Sequence, residues 1–213
     1  MPPDASVAKL SPEMAEALAI LSGLATATIY EANGKWGDVG PPIRPLIEGV
    51  RMAGPAYTVK AMPGDNLVIF RAIDEAPAGS VLVIDAGATD RATIWGGTST
   101  VACVAKNIVG CVTNAAVRDM AQIRDMKFPV YAAGINVRGT VKSHSGWTNI
   151  PIAIADVPVK PGDLVFGDED GVVIVAAEKA VEVAKKAFAR SKEEDAREDR
   201  LRRGETMKQV IGY

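Results

Sequence analysis

The chain has 213 residues, 48% hydrophobic but only 5% aromatic, so its core must be built mainly from Ala, Val, Ile and Leu, the usual filling of a layered α/β protein. A net charge of −2 supplies no basic field for a phosphate backbone, which removes nucleic acid from the expected partners. Cys103 and Cys111 lie inside apolar runs without a CxxC or metal-ligand spacing, and no stretch reaches the length of a membrane span. The first residues also lack the basic start and apolar run of a leader, so the expectation is a cytoplasmic chain with no membrane partner.

Nothing linker-like divides the sequence, and one domain over 1–213 is expected, with helices and a loop in 1–48 and a helical extension in 177–213. Ser11-Pro12-Glu13 opens a helix with Ser11 as N-cap, and Met14, Ala17, Leu18 and Leu21 form its apolar face. A second short helix covers Thr28 to Ala32 and ends at Asn33-Gly34. Residues 35–48, rich in Gly and Pro, read as a surface loop whose Trp36 needs cover. From Val50 the pattern alternates. Strands are expected near 50–61, 80–85, 109–114, 129–133, 151–155, 164–166 and 172–175, with helices near 65–77, 97–107 and 119–126. Asp85, at the end of an apolar strand and before Gly87, is either a site carboxylate or an Asx-type turn. Asp168-Glu169-Asp170-Gly171 is a tight turn, since its acids are not spread over the dozen or so positions of a calcium loop. Ala177 to Arg203 has no Pro or Gly and reads as one helix roughly 40 Å long. Beyond Phe188 its only large apolar residue is Leu201, so its second half either projects into solvent or lies along another subunit.

The chemistry concentrates between Gly96 and Asp119. Gly96-Gly97-Thr98-Ser99-Thr100 precedes an apolar helical run, and the first turn of a helix has backbone N–H groups free to hold an anion. A short strand then ends in Arg118-Asp119. Asp119 has two readings: the N-cap of the next helix with Gln122 as its reciprocal partner, or a ligand for a divalent metal beside an Arg118 that offsets charge on oxygen. With one His and no Cys cluster, a hard cation such as Mg²⁺ or Mn²⁺ fits better than zinc. Downstream, Lys142 is an anion contact if its loop returns to the cleft, and His144 is assigned to the surface.

Gly97 followed by Arg118-Asp119, with Pro63-Gly64-Asp65-Asn66 and Asp85 upstream and Lys160-Pro161-Gly162-Asp163, Asp168-Glu169-Asp170-Gly171 and Arg203-Gly204-Glu205 downstream, resembles the family of the regulator of ribonuclease activity A. That family includes the 4-hydroxy-4-methyl-2-oxoglutarate / 4-carboxy-4-hydroxy-2-oxoadipate aldolases. The resemblance implies an αββα sandwich related to swivelling phosphohistidine-type domains, assembled as a homotrimer or hexamer with sites at subunit interfaces. It implies Mg²⁺ or Mn²⁺ at Asp119, Arg118 on the substrate oxygens, the amides of Gly97, Thr98, Ser99 and Thr100 on a pyruvate carboxylate, Lys142 as a substrate contact, and Glu194 donated by a neighbouring subunit. The implied activity is cleavage of a 2-oxo acid to pyruvate, with oxaloacetate decarboxylation alongside. The regulator branch implies the alternative, a non-catalytic protein that binds a ribonuclease or helicase. The chain departs from the aldolase pattern at Gln122, where an acid is usual, and at Asn114-Ala115, where Asp-Gly is common.

Overall fold

A computed structural model describes residues 10–144 and 146–213, the side chain of Asp90 excepted; the reading of the first nine residues lies outside this range. In chain order the elements are α1 (Pro12–Ser22), α2 (Thr26–Ala32), β1 (Arg44–Pro45), β2 (Met52–Lys60), α3 (Leu67–Glu75), β3 (Val81–Trp95), α4 (Gly97–Ala105), β4 (Gly110–Val117), α5 (Met120–Asp125) and β5 (Val130–Ile135). There follow β6 (Trp147–Thr148), β7 (Ile152–Ile154), β8 (Val157–Val159), β9 (Leu164–Asp168), β10 (Gly171–Val175), α6 (Ala180–Arg202) and α7 (Met207–Ile211).

Strands β2, β3, β4 and β5 are parallel neighbours, each joined to the next through a helix, α3, α4 or α5. Such crossovers place the helices on a face of the sheet. Val68, Ile69, Ala72 and Ile73 of α3, Cys103 of α4 and Ile123 of α5 pack there against Tyr57, Val59, Leu82, Ile84, Cys111 and Val130. Every residue of β4 is buried, as expected of a central strand covered on both faces.

Strand β2 serves two sheets. Residues 56–60 pair in parallel with β3, whereas 52–55 pair antiparallel with β9, which continues into β10. Side chains alternate accordingly. Val165, Val172 and Ile174 face the parallel strands and the β7–β8 hairpin, while Leu164, Phe166, Val173 and Val175 face Leu21, Ile29, Val183 and Ala187 of the terminal helices. The layers therefore run helices, strands, strands, helices.

Most expected elements are present within a few residues, and the exceptions have physical causes. Strand β3 runs ten residues past Asp85: Gly87 and Ala88 turn through positive φ, and the chain then re-pairs with β4 at Thr89, Thr93 and Trp95. Strand β8 carries Pro158, a strand breaker in pattern terms, but Pro158 is exposed on a two-stranded hairpin whose turn residues Ala155 and Asp156 both have positive φ. The C-terminal helix begins with a 3₁₀ turn at Ala177–Lys179, and nothing in α6 beyond Ala187 is buried. Trp36 finds no full cover among the described residues and is 57% exposed. No helix among the described residues is long and apolar enough to cross a membrane.

The acidic turn between β9 and β10 holds α2 in place. Asp168 accepts hydrogen bonds from the Thr26 N–H (2.8 Å), the Thr26 hydroxyl (2.6 Å) and the Asp170 N–H (3.0 Å). Because Thr26 is buried, Asp168→Ala strands two donors without water. Urea unfolding of that variant is expected to show a loss of about 2–3 kcal/mol.

Candidate functional site

The ends of β3 and β4 and the starts of α4 and α5 meet in a cleft of about 200 Å³. The Arg118 N–H donates to the Trp95 carbonyl (3.1 Å), carrying the strand pairing up to the cleft edge. At Asp119 the chain turns through φ 60°, a left-handed conformation that Asp tolerates better than most residues. That turn sends the Asp119 side chain back to α4, where Oδ2 accepts the Gly97 N–H at 3.0 Å. Asp119 thus occupies the N-cap position of α5, with the Ile123 N–H bonded to its carbonyl, yet its carboxylate caps α4 instead. The expected reciprocal cap with Gln122 does not form.

Gln122 lies across Gly97 instead. A Cβ on Gly97 would stand 1.8 Å from Gln122 Oε1, and a Cβ on Gly96 would stand 2.6 Å from Asp119 Oδ2. A side chain at either glycine would have to displace the Gln122 amide or the Asp119 carboxylate from its place. The anion cradle is consequently narrower than expected. The Gly97 amide is taken by Asp119, and the Thr100 amide by the Gly96 carbonyl at 3.1 Å. The Thr100 hydroxyl is buried, accepting from Trp95 Nε1 (2.9 Å) and donating to Gly96 (3.1 Å), so Thr100 is part of the scaffold. Thr98 and Ser99 line the cleft, and their N–H groups have no protein acceptor among the described residues.

Arg118 and Lys142 bring positive charge to the same space. Arg118 Nε is 3.7 Å from Asp119 Oδ2, with both side chains nearly half exposed. Lys142 Nζ lies 5.8 Å above the Phe70 ring centre, and Phe70 also lines the cleft. Glu194 is elsewhere in the chain, held by Arg190 Nε (2.8 Å) and the Thr28 hydroxyl (2.8 Å). No group of three or more His, Cys, Asp or Glu converges among the described residues. Asp119 is the one carboxylate lining the cleft, and its Oδ1 has no protein partner among the described residues. A single carboxylate suits Mg²⁺ or Mn²⁺, which retain several waters and use one or two carboxylates, and it does not suit zinc.

Asp85 lies outside the cleft lining. Its Oδ1 accepts from the Gly87 N–H (3.0 Å) and Asn114 Nδ2 (2.9 Å), and its Oδ2 pairs with Lys60, which is the turn reading. Burial pushes its carboxyl up, but Lys60, Asn114 and the Gly87 amide outweigh burial and hold it below the usual range.

Several residues here escaped the sequence reading. Thr93 enters on the β3 extension and donates to the Arg138 carbonyl. Asn66 lines the cleft, with a buried Oδ1 that has no hydrogen-bond partner among the described residues. Asp65 is almost fully buried; Oδ1 accepts the Leu67 N–H (3.0 Å), and Oδ2 accepts the N–H groups of Ser143 (2.7 Å) and His144 (2.9 Å). The His144 ring is at the surface as expected, but its Nδ1 is 3.1 Å from the same oxygen. Burial would raise the Asp65 carboxyl, yet these donors outweigh it and hold it down to about 2. The signal was the Asp in Pro63-Gly64-Asp65-Asn66 just ahead of a helix, whose long-range partners no local pattern reveals.

Residues 26–174 match the family model described as RraA-like, Aldolase/RraA. A relative from Halalkalibacterium halodurans, provisionally named 4-hydroxy-4-methyl-2-oxoglutarate aldolase, is 34% identical over 173 residues, covering 81% of this chain and 82% of the relative. The solved structure of an uncharacterised protein from Pseudomonas syringae superposes with a TM-score of 0.81 at 26% identity, over 92% of this chain and 97% of the other. That of Streptomyces coelicolor RraAS2, described as an unusual member of the RNase ES inhibitor RraA protein family, gives 0.79 at 26% identity, over 88% and 98%. With a family model spanning most of its length and a relative above 30% identity, the chain belongs to the RraA-like family of aldolase and RraA proteins.

Proposed function

We propose that this chain is a divalent-metal-dependent carbon–carbon lyase that releases pyruvate from 4-hydroxy-4-methyl-2-oxoglutarate or 4-carboxy-4-hydroxy-2-oxoadipate and decarboxylates oxaloacetate. The observation that carries the reading is the convergence on one small cleft of the Thr98 and Ser99 amides, the Arg118 and Lys142 cations, and a single carboxylate, Asp119. Two cations and two amides suit a substrate with two carboxylates. The aldolase name of the Halalkalibacterium relative supports the lyase class.

In this reading Thr98 and Ser99 donate their N–H groups to the pyruvyl carboxylate at the start of α4, where the helix dipole favours an anion. Lys142 faces the distal carboxylate. Arg118 lies where negative charge builds on the 2-oxo oxygen as the carbon–carbon bond breaks, and a guanidinium there lowers the barrier. Trp95, Ile94 and Phe70 keep one wall of the cleft apolar. Mg²⁺ or Mn²⁺ held by Asp119 would supply Lewis-acid polarisation of the 2-oxo group. Glu194 would act only from a neighbouring copy, which makes a homotrimer or hexamer part of the proposal.

Gln122 divides the two reactions. Decarboxylation needs an electron sink on the 2-oxo group, whereas retro-aldol cleavage of a tertiary alcohol also needs a base for the hydroxyl proton. An amide in contact with Gly97 cannot serve as one, which favours decarboxylation. The same residue and the likeness to RraAS2 keep a second reading, a non-catalytic ribonuclease-binding regulator.

Pyruvate release from oxaloacetate and from 4-hydroxy-4-methyl-2-oxoglutarate, measured with Mg²⁺ or Mn²⁺, tests the proposal. Decarboxylation is expected to exceed aldol cleavage, and Asp119→Ala and Arg118→Ala are each expected to lower kcat/KM by about a hundredfold or more. No turnover of either substrate, together with capture of ribonuclease E, would instead establish the regulator reading. Gly97→Ala displaces the Gln122 amide that lies beside the Gly97–Asp119 contact and is expected to cost up to about tenfold in kcat/KM.

A further inference from the structure

We infer that Asp65 is a positioning residue for the cleft, acting through the backbone of Ser143 and His144 to hold Lys142 over it. The inference rests on the lyase reading of that cleft. Lys142 belongs to an extended stretch between β5 and β6 that lies along α3 and has no helix or strand of its own to fix it. Its neighbours are fastened on both sides. Before it, the Val141 N–H donates to the Gly64 carbonyl (2.9 Å), and the Val141 carbonyl accepts the Asn66 N–H (3.2 Å). After it, the Ser143 and His144 N–H groups and the His144 ring converge on one oxygen, Asp65 Oδ2.

The other Asp65 oxygen takes the Leu67 N–H at the start of α3. One buried carboxylate therefore ties the helix that supplies Phe70 to the loop that supplies Lys142, while not itself lining the cleft. An ionised carboxylate is the suitable group because only an acceptor-only oxygen can face three donors, and bonds to a charged acceptor are the stronger class. An amide at that position has one acceptor oxygen for both sets of donors, so its NH₂ group faces either the Leu67 N–H or the Ser143 and His144 donors.

Asp65→Asn keeps the shape but only one of the two acceptor oxygens, so it breaks the tie between the Leu67 N–H and the Ser143 and His144 donors whichever way the amide is turned. The expected result is a KM for oxaloacetate raised about tenfold with kcat within about twofold of wild type. Lys142→Ala should raise KM by a similar factor, and the double variant should be no worse than Lys142→Ala alone, because both changes remove one interaction. A readout independent of turnover is trypsin cleavage after Lys142, expected to be at least about tenfold faster in Asp65→Asn. His144→Ala removes one donor from an exposed side chain, so folding is not at stake, and it should move KM and cleavage in the same direction by about twofold. An unchanged cleavage rate in Asp65→Asn and His144→Ala, a fall in kcat at constant KM, or KM effects that multiply in the double variant would overturn the inference. A wild-type chain that turns over no substrate defeats the lyase reading instead, and the trypsin rate then judges the clamp alone.

Discussion

The hydrogen bond from the Gly97 amide to the Asp119 carboxylate joins the two halves of the cleft, and the placement of its other groups depends on it. It crosses between two consecutive strand-to-helix connections of a parallel sheet, where side chains from successive loops naturally meet. Three local features accompany it: a left-handed turn at Asp119, the absence of a Cβ at Gly96 and Gly97, and the Gln122 amide lying against Gly97. The carboxylate lies at the N-terminal end of α4, where the helix dipole attracts a negative side chain. The same bond leaves the next two amides and one carboxylate oxygen without a protein partner among the described residues. Geometry and charge are thereby set together.

The legible part of this molecule was the part written in local patterns. The periodicity of Val81 to Ile84 and of Val172 to Val175, the Ser11-Pro12 cap and the acidic turn at 168–171 all depend on residues a few positions apart, and the structure reproduces them. The Gly97 and Arg118-Asp119 spacing likewise pointed to one place in the fold. What the pattern did not contain was the division of labour inside that place. Whether Asp119 caps its own helix or its neighbour's is decided by a positive φ that Asp shares with many turn residues. Thr100 is excluded from the cleft by a contact with Trp95, which arrives on a strand extension that follows a Gly-Ala turn and has no clean alternation of its own. Asp65 and His144, seventy-nine positions apart, meet only once the sheet has formed.

The C-terminal helix shows a different balance. Its first half contributes Ala180, Val183, Ala184 and Ala187 to the core, small residues that let it approach the β9–β10 face. Its second half is sustained by pairs along its own surface, Glu193 with Arg197 and Glu198 with Arg202, while Arg190 reaches both Glu194 and Glu31. Exposed pairs of this kind are each worth a few tenths of a kcal/mol, about enough to keep a helix formed and too little to dock it.

Strand β2 carries a consequence for how the chain comes together. It pairs its second half with β3, about twenty-five residues away along the chain, and its first half with β9, more than a hundred residues away. The parallel side can pair early, but residues 52–55 and the apolar face around Val81, Val83 and Val112 stay uncovered until the hairpins at 152–175 have been made. Contacts of such long range slow folding and leave an open strand edge during synthesis. A protein whose cleft is assembled from nearest-neighbour crossovers thus closes its core last, at the seam farthest from the cleft in chain order, and its most aggregation-prone moment falls after its candidate site has already formed.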